Sequence, residues 1–238
     1  MAISIVQRNN GGDPSFTGTL SATFGSANTA GNTIICIITY NNSTNNLSAP
    51  TDTKSNTYTK VYDQINGSDA LGTLVYVATG IAAGSNTVTD SDGSNSAAMF
   101  IYEVSGISGA LDTSTQQWQT TATSLSSTAI TTTHANELLI GVFCDSDSSA
   151  GITYTAGSGW SNIQNQTGGA YVPFCISATE EQIVSATGSY TATATVSSNP
   201  NNFTMATILA FPASGGAPVF IAGKPFITRQ AVKRSNFY

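Results

Sequence analysis

Residues 31–40 read Gly-Asn-Thr-Ile-Ile-Cys-Ile-Ile-Thr-Tyr, an unbroken apolar run entered through a Gly-Asn turn signal. A strand with one wet face alternates apolar and polar side chains, so a run without alternation needs cover on both faces. This one is too short for an ordinary helix, and its aliphatic residues are all β-branched, as suits a central strand. Residues 135–144, Ala-Asn-Glu-Leu-Leu-Ile-Gly-Val-Phe-Cys, repeat the scheme of small residue, Asn, one polar residue and apolar run. Any fold for this chain has to bury two such strands.

The flanking features recur in the same order. Strands are expected at 3–7, 16–24, 57–64, 71–79, 84–90 and 97–104, with Asn9-Asn10-Gly11-Gly12-Asp13-Pro14 as a turn cluster and 57–64 near an edge. Segments 120–130, 137–143, 171–177, 190–196 and 205–211 answer them at a near-constant offset. Thr and Val favour strands, Gly and Asn favour turns, and no long window repeats at helical spacing. The expected fold is all-β, a duplicated antiparallel β-sandwich, jelly-roll or immunoglobulin-like, with two similar halves and an extended C-terminal arm. Residues 1–106 form the first unit, 107–119 a connector, 120–211 the second unit, and 212–238 a linker and docking arm. Each half could be its own sandwich, or the two could share one with pseudo-twofold symmetry.

Only 8% of residues are charged, against about 25% in ordinary globular proteins. The surface is therefore neutral and hydroxyl-rich, while 40% hydrophobic residues in discrete runs argue against disorder. Four of the seven basic residues, Lys224, Arg229, Lys233 and Arg234, lie near the C-terminus; without them 3 basic residues face 13 acidic ones, a balance of −10. Such a body is not expected to bind nucleic acid, which requires a basic face. Cys36, Cys144 and Cys175 lie in apolar runs in an odd count, and read as buried free thiols, with Cys36 and Cys144 in equivalent strands. No signal peptide or transmembrane segment is read, so no membrane partner is expected.

The sequence assigns no catalytic, cofactor-binding or metal-ligating residue. His134 is the single histidine and lacks a nucleophile motif, and one histidine cannot make a histidine cluster. Glu180 and Glu181 are adjacent, so in an extended segment they point to opposite faces and cannot form a glycosidase acid pair. Asp90-Ser-Asp92-Gly93-Ser-Asn95 and Asp145-Ser-Asp147 offer calcium-type oxygens but no closing carboxylate, and read as solvated turn acids. Trp118, Trp160, Tyr154 and Tyr171 could make an aromatic platform for sugars, although core packing is the commoner fate of such residues. After the Pro212–Pro218 linker come Phe220, Lys224, Phe226, Arg229, Lys233, Arg234, Phe237 and Tyr238, apolar anchors and cations without partner surface of their own. They are the expected partner-docking residues.

Four local patterns stand out: Gly31-Asn32 before the apolar run, Asp52-x-x-x-Asn56-x-Tyr58-Thr59, Gly84-Ser85-Asn86-Thr87-Val88-Thr89, and Glu103-x-Ser105-Gly106. Together they resemble β-sandwich modules in structural proteins of tailed bacteriophages, over residues 15–211. The resemblance implies a non-enzymatic virion protein, a head-decoration or tail-associated component made in the host cytoplasm. Its partners would be copies of itself and other virion proteins. A carbohydrate-binding or adhesin module is the alternative.

Overall fold

The computed structural model describes residues 2–12, 19–41, 48–65, 71–91, 97–120, 122–145, 152–166, 176–198 and 203–215. The first half runs β1 (Ser4–Gly12), β2 (Leu20–Thr23), β3 (Thr33–Asn41), β4 (Thr51–Asp52), β5 (Thr59–Ile65), β6 (Leu71–Thr79), β7 (Thr87–Asp90) and β8 (Ala97–Ser105). The second runs β9 (Thr113–Thr120), β10 (Ser124–Ser126), β11 (Ile130–Thr131), β12 (Glu137–Asp145), β13 (Tyr154–Ala156), β14 (Ser161–Gln166), β15 (Ile176–Val184), β16 (Ser189–Tyr190), β17 (Thr193–Val196) and β18 (Phe203–Pro212). No helix occurs among the described residues.

In the first half a five-stranded sheet, β1-β8-β3-β6-β5, faces a three-stranded one, β2-β7-β4. The first strand thus pairs with the eighth, the second with the seventh and the third with the sixth, all antiparallel. This is the winding of a jelly roll. The second half has the order β9-β18-β12-β15-β14 over β10-β17-β13, with a further pair, β11-β16. Even an irregularity recurs. Edge strand β5 slips register between Lys60 and Tyr62, and edge strand β14 slips between Ser161 and Gln164.

The apolar runs are continuous because each serves two cores. Along β3, Ile34, Cys36, Ile38 and Tyr40 pack inside the first sandwich with Leu20, Leu74, Val88 and Ile101. The alternate residues Ile35 and Ile37 point the other way, with Val75, Val77, Phe100, Tyr102 and Val104, against Leu138, Ile140, Val142, Leu209 and Phe211 of the second half. Leu139 and Phe143 of β12 complete a third core inside the second sandwich. Four layers result, with the two large sheets back to back at the centre. Each fully buried Leu, Ile or Phe side chain in that seam contributes about 1.5–3 kcal/mol before ordering costs. Polar contacts accompany the seam: Thr39 Oγ1 to Ser177 Oγ at 2.7 Å, Tyr102 OH to Thr179 Oγ1 at 2.6 Å, and Tyr62 OH to Gln116 Oε1 at 3.1 Å. The open choice between two sandwiches and one shared sandwich thus resolves as two sandwiches joined by a third core.

Several expected boundaries are corrected. Residues 9–12 are not a turn but the second half of β1, paired with Phe100, Met99 and Ala98. Gly11 is needed there because a Cβ would fall 1.8 Å from the Ser21 carbonyl oxygen, where β1 crosses β2. The 107–119 connector carries most of β9, a polar edge strand held by β18. The strand expected at 16–24 is described only as Leu20–Thr23, and 120–130 breaks into β10 and β11. In place of 171–177 the partner of β12 is Ile176–Val184, with 167–175 outside the described residues. Strand β5 lies at a sheet edge, as expected for 57–64.

Candidate functional site

With so few charges in the chain, the buried carboxylates are the places to look for chemistry, because an ionised group out of water has to be compensated. In the first half Glu103 and Asp52 are compensated by full sets of donors. Glu103, fully buried on β8, accepts hydrogen bonds from Gln7 Nε2 (2.6 Å), Asn28 Nδ2 (2.7 Å), Asn32 Nδ2 (2.6 Å) and the Thr29 N–H (2.8 Å). Asp52 on β4 accepts from Asn56 Nδ2 (2.7 Å), Asn86 Nδ2 (2.9 Å), Tyr58 OH (3.0 Å) and the Lys54 and Asn56 N–H groups (3.0 Å each). Burial alone would raise both carboxyls; the donors outweigh it and hold both below their ordinary values. Asn32, Asp52, Asn56, Tyr58, Asn86 and Glu103 come from the four local patterns noted in the sequence. The structure shows what those patterns do: they are two carboxylate cages that fix the loops at one end of the first sandwich.

The second half treats its carboxylates differently. Glu180 and Glu181 on β15 point to opposite faces, as adjacent strand residues must. Glu180 lies inside the sandwich, where its oxygens accept the N–H groups of Gly157 (3.1 Å) and Thr193 (3.0 Å). Burial pushes its carboxyl up to about 7 against those two bonds. Gly141 of β12 makes room for it, since a Cβ there would meet Glu180 Cγ at 2.7 Å. Glu181 faces the seam and pairs with Arg8 of β1 at 2.6 Å, joining the halves at the edge of a cleft of about 400 Å³ lined by Ile3, Ile5, Ser161 and Ile183. The two glutamates therefore address different partners.

Glu137, the first residue of β12, is fully buried and meets two residues that the sequence did not associate with it. The side chains of Asp112 and His134 lie beside it, 5% and 19% exposed. His134 Nδ1 is 3.2 Å from Asp112 Oδ1 and 3.7 Å from Glu137 Oε1, and the His134 N–H donates to Glu137 Oε1 at 3.1 Å. Thr133 donates its N–H to Asp112 Oδ2 at 2.7 Å and its hydroxyl to Asp112 Oδ1. Burial, together with the facing Asp112 carboxylate, pushes Glu137 up to about 8. Burial would raise Asp112 as well, but the Thr133 donors outweigh it and hold Asp112 below its ordinary value.

Chemically, this constellation is not a proton relay. A nucleophile–histidine–acid relay uses both ring nitrogens, whereas Thr133 Oγ1 (3.1 Å) and Asp112 Oδ1 both sit on Nδ1 of His134. Its donor set is instead that of metal ligands. One ligand atom from each of Asp112, His134 and Glu137 lies within 4.8 Å of the others, and this is the one such group found among the described residues. Asp112 stands 22 residues before His134 in a stretch that reads as linker, and only the His134-x-x-Glu137 spacing at a strand entry hinted at the pair.

The remaining residues singled out in the sequence are dispersed. Tyr154 is in the core of the second sandwich, its ring stacked on Phe143. Trp160 is half-buried against the same core with its indole N–H donating to the Thr191 carbonyl, and Trp118 packs at the seam with Leu71, Cys144 and Met205. These three do not form one platform, and Tyr171 lies outside the described residues. Asp90 and Asp145 are 2% and 0% exposed, which corrects the reading of solvated turn acids; Asp92, Asn95 and Asp147 are outside the described residues. Cys36 and Cys144 are buried and outside any disulfide, but Cys36 faces the first sandwich's core and Cys144 the seam. Cys175 and the expected docking residues Phe220, Lys224, Phe226, Arg229, Lys233, Arg234, Phe237 and Tyr238 also lie outside the described residues. Comparison with family models, with curated proteins and with solved structures gave no match.

Proposed function

We propose that this protein is a non-enzymatic structural component of a tailed-phage virion, a head-decoration or tail-associated protein that acts through subunit contacts. One observation carries the reading: two jelly-roll windings are fused through a dry seam into a four-layer block. Jelly rolls are the windings of viral capsid and lectin domains, and a fused block suits a load-bearing role. That support is an analogy at the level of fold. The patterns that resemble phage modules form cages that hold loops in place, which agrees with a structural use of those residues. We further propose that the two halves arose by duplication, and that residues 217–238 are an arm docking on a neighbouring subunit, with four cations meeting a body of charge −10.

Immunogold electron microscopy of particles from the source, with antibody raised against residues 2–215, tests the assignment. Label on capsids or tails is expected. Particles without label, together with retention of the protein on a polysaccharide resin, would replace this reading with a carbohydrate-binding one. Deleting residues 217–238 tests the arm: assembly measured by light scattering should be lost with the melting temperature of the monomer unchanged, and lost monomer stability with intact assembly would refute it.

A further inference from the structure

We propose that Asp112, His134 and Glu137 form a binding site for one divalent first-row transition metal ion, of which Zn²⁺ is the representative. The inference does not depend on the virion reading. Bonds of about 2.0–2.1 Å from a tetrahedral ion place its ligand atoms about 3.3 Å apart. His134 Nδ1 lies 3.2 Å from Asp112 Oδ1 and 3.7 Å from Glu137 Oε1, within a few tenths of an ångström of that spacing, and all three ligand atoms lie within 4.8 Å of one another. An imidazole nitrogen with two carboxylates favours a transition metal over Ca²⁺ or Mg²⁺, which take oxygen ligands.

A second observation points the same way. Glu137 is fully buried; its Oε1 is held by the His134 N–H, and no donor reaches its Oε2. One oxygen of its carboxyl group lies within 4.8 Å of an oxygen of Asp112, so a cation between them would offset the repulsion of the two carboxylates. Thr133 supports the set with its N–H on Asp112 Oδ2, and its hydroxyl, which sits on both Asp112 Oδ1 and His134 Nδ1, would turn aside for an ion to enter. Such outer contacts orient ligands in metal sites. The ion would also have a structural consequence. Asp112 belongs to the segment between the halves, where its N–H binds the Ala210 carbonyl at 2.9 Å, and His134 and Glu137 belong to the turn that enters β12. A bound ion clips that segment onto the second sandwich.

The test uses the full chain, freed of metal with EDTA and dialysed. Titration with CoCl₂ should give a visible absorption band that saturates at one equivalent and is displaced by ZnCl₂, and ZnCl₂ alone should raise the melting temperature. Asp112→Asn and His134→Gln should each weaken Co²⁺ binding by at least about tenfold. Because the His134 side chain is part exposed, His134→Gln should melt like the parent in EDTA, so it remains informative if Asp112→Asn folds poorly. No Co²⁺ band and no Zn²⁺-dependent rise in the parent would overturn the proposal, as would undiminished binding by His134→Gln.

Discussion

In the first half, Glu103 is surrounded by four donors and Asp52 by five, whereas in the second half Glu180 receives two and Glu137 one. The strand order around them is the same. What differs is the supply of short amide side chains: Asn28, Asn32, Asn56 and Asn86 line the first half's loops, while Glu180 and Glu137 have only backbone N–H groups. A carboxylate with enough donors stays ionised out of water; one without holds its proton. A shared fold therefore does not dictate a shared electrostatic design, and Glu180 and Glu137 should respond to pH with the opposite sign from Asp52 and Glu103.

The most damaging change is removal of a cage's centre. Glu103→Ala would leave the buried amide of Asn28, the Asn32 side chain and the Thr29 N–H without this acceptor, at a cost of about 3 kcal/mol or more. Urea unfolding monitored by tryptophan fluorescence measures it. A loss below about 1 kcal/mol would mean that the cage is incidental to the first half's stability.

The pH dependence is nearly as large and separates the halves by sign. Glu180 has an ordinary value of 4.5 and a folded value of about 7, so between these the native state keeps a proton that the unfolded chain has released. Stability must fall as pH rises through that window, by about 3 kcal/mol once Glu180 is forced to ionise. Glu137, at about 8, extends the decline. Asp52 and Glu103 have the opposite sign: held below 3.8 and 4.5, they stabilise the fold above those values and lose that contribution as pH falls through their lower folded values. Melting temperature should therefore decline from pH 5 to pH 8, and Glu180→Gln should flatten that limb while leaving the acid limb unchanged. An unaltered alkaline limb in the variant would remove Glu180 from the account.

A smaller effect tests why the second half tolerates a buried glutamate at all. Gly141→Ala would drive a methyl group into Glu180 Cγ and to 2.9 Å from Ala192 Cβ, an overpacking that costs about 1–3 kcal/mol. Paired with Glu180→Ala, which vacates the space on one side, the penalty should shrink in a double-mutant cycle, leaving the part due to Ala192. Additive losses would show that Gly141 serves the backbone instead.

These contrasts show where the sequence is legible. Strands β3 and β12 could be read because burial on both faces abolishes alternation, a signal independent of what the strands pack against. The all-β class and the antiparallel sandwich followed from the same pattern. Strand β9 was hidden because Thr-Ser-Thr-Gln-Gln-Trp-Gln-Thr is polar enough to pass for a linker, and an edge strand beside a seam needs few apolar residues. Gly11-Gly12 looked like a turn because the contact that demands Gly11, the Ser21 carbonyl, belongs to another strand. The patterned residues Asp52, Asn56, Asn86 and Glu103 were visible as a pattern, but their role depends on donors that converge only in the folded chain. Asp112, His134 and Glu137 left almost no trace, since their convergence is produced by β9 pairing beside β12 through β18.

The smallest effect addresses whether the two halves can fail separately. Tyr102 on β8 donates its hydroxyl across the seam to Thr179 Oγ1 at 2.6 Å, and both groups are buried. Tyr102→Phe keeps the ring in the seam and removes one hydrogen bond; Gln164 Nε2, 3.4 Å from the same Thr179 oxygen, still offers that oxygen a donor. The loss should be about 1 kcal/mol. Because no carboxylate changes its partners, this loss should be the same at pH 5 and pH 8, unlike that of Glu180→Gln. The seam has a buried apolar core, so the halves should unfold in one calorimetric transition, and the variant should move that transition down by about 2–4 °C. Two transitions, only one of them displaced, would show that the opposite electrostatic designs make the halves independent folding units despite the core they share.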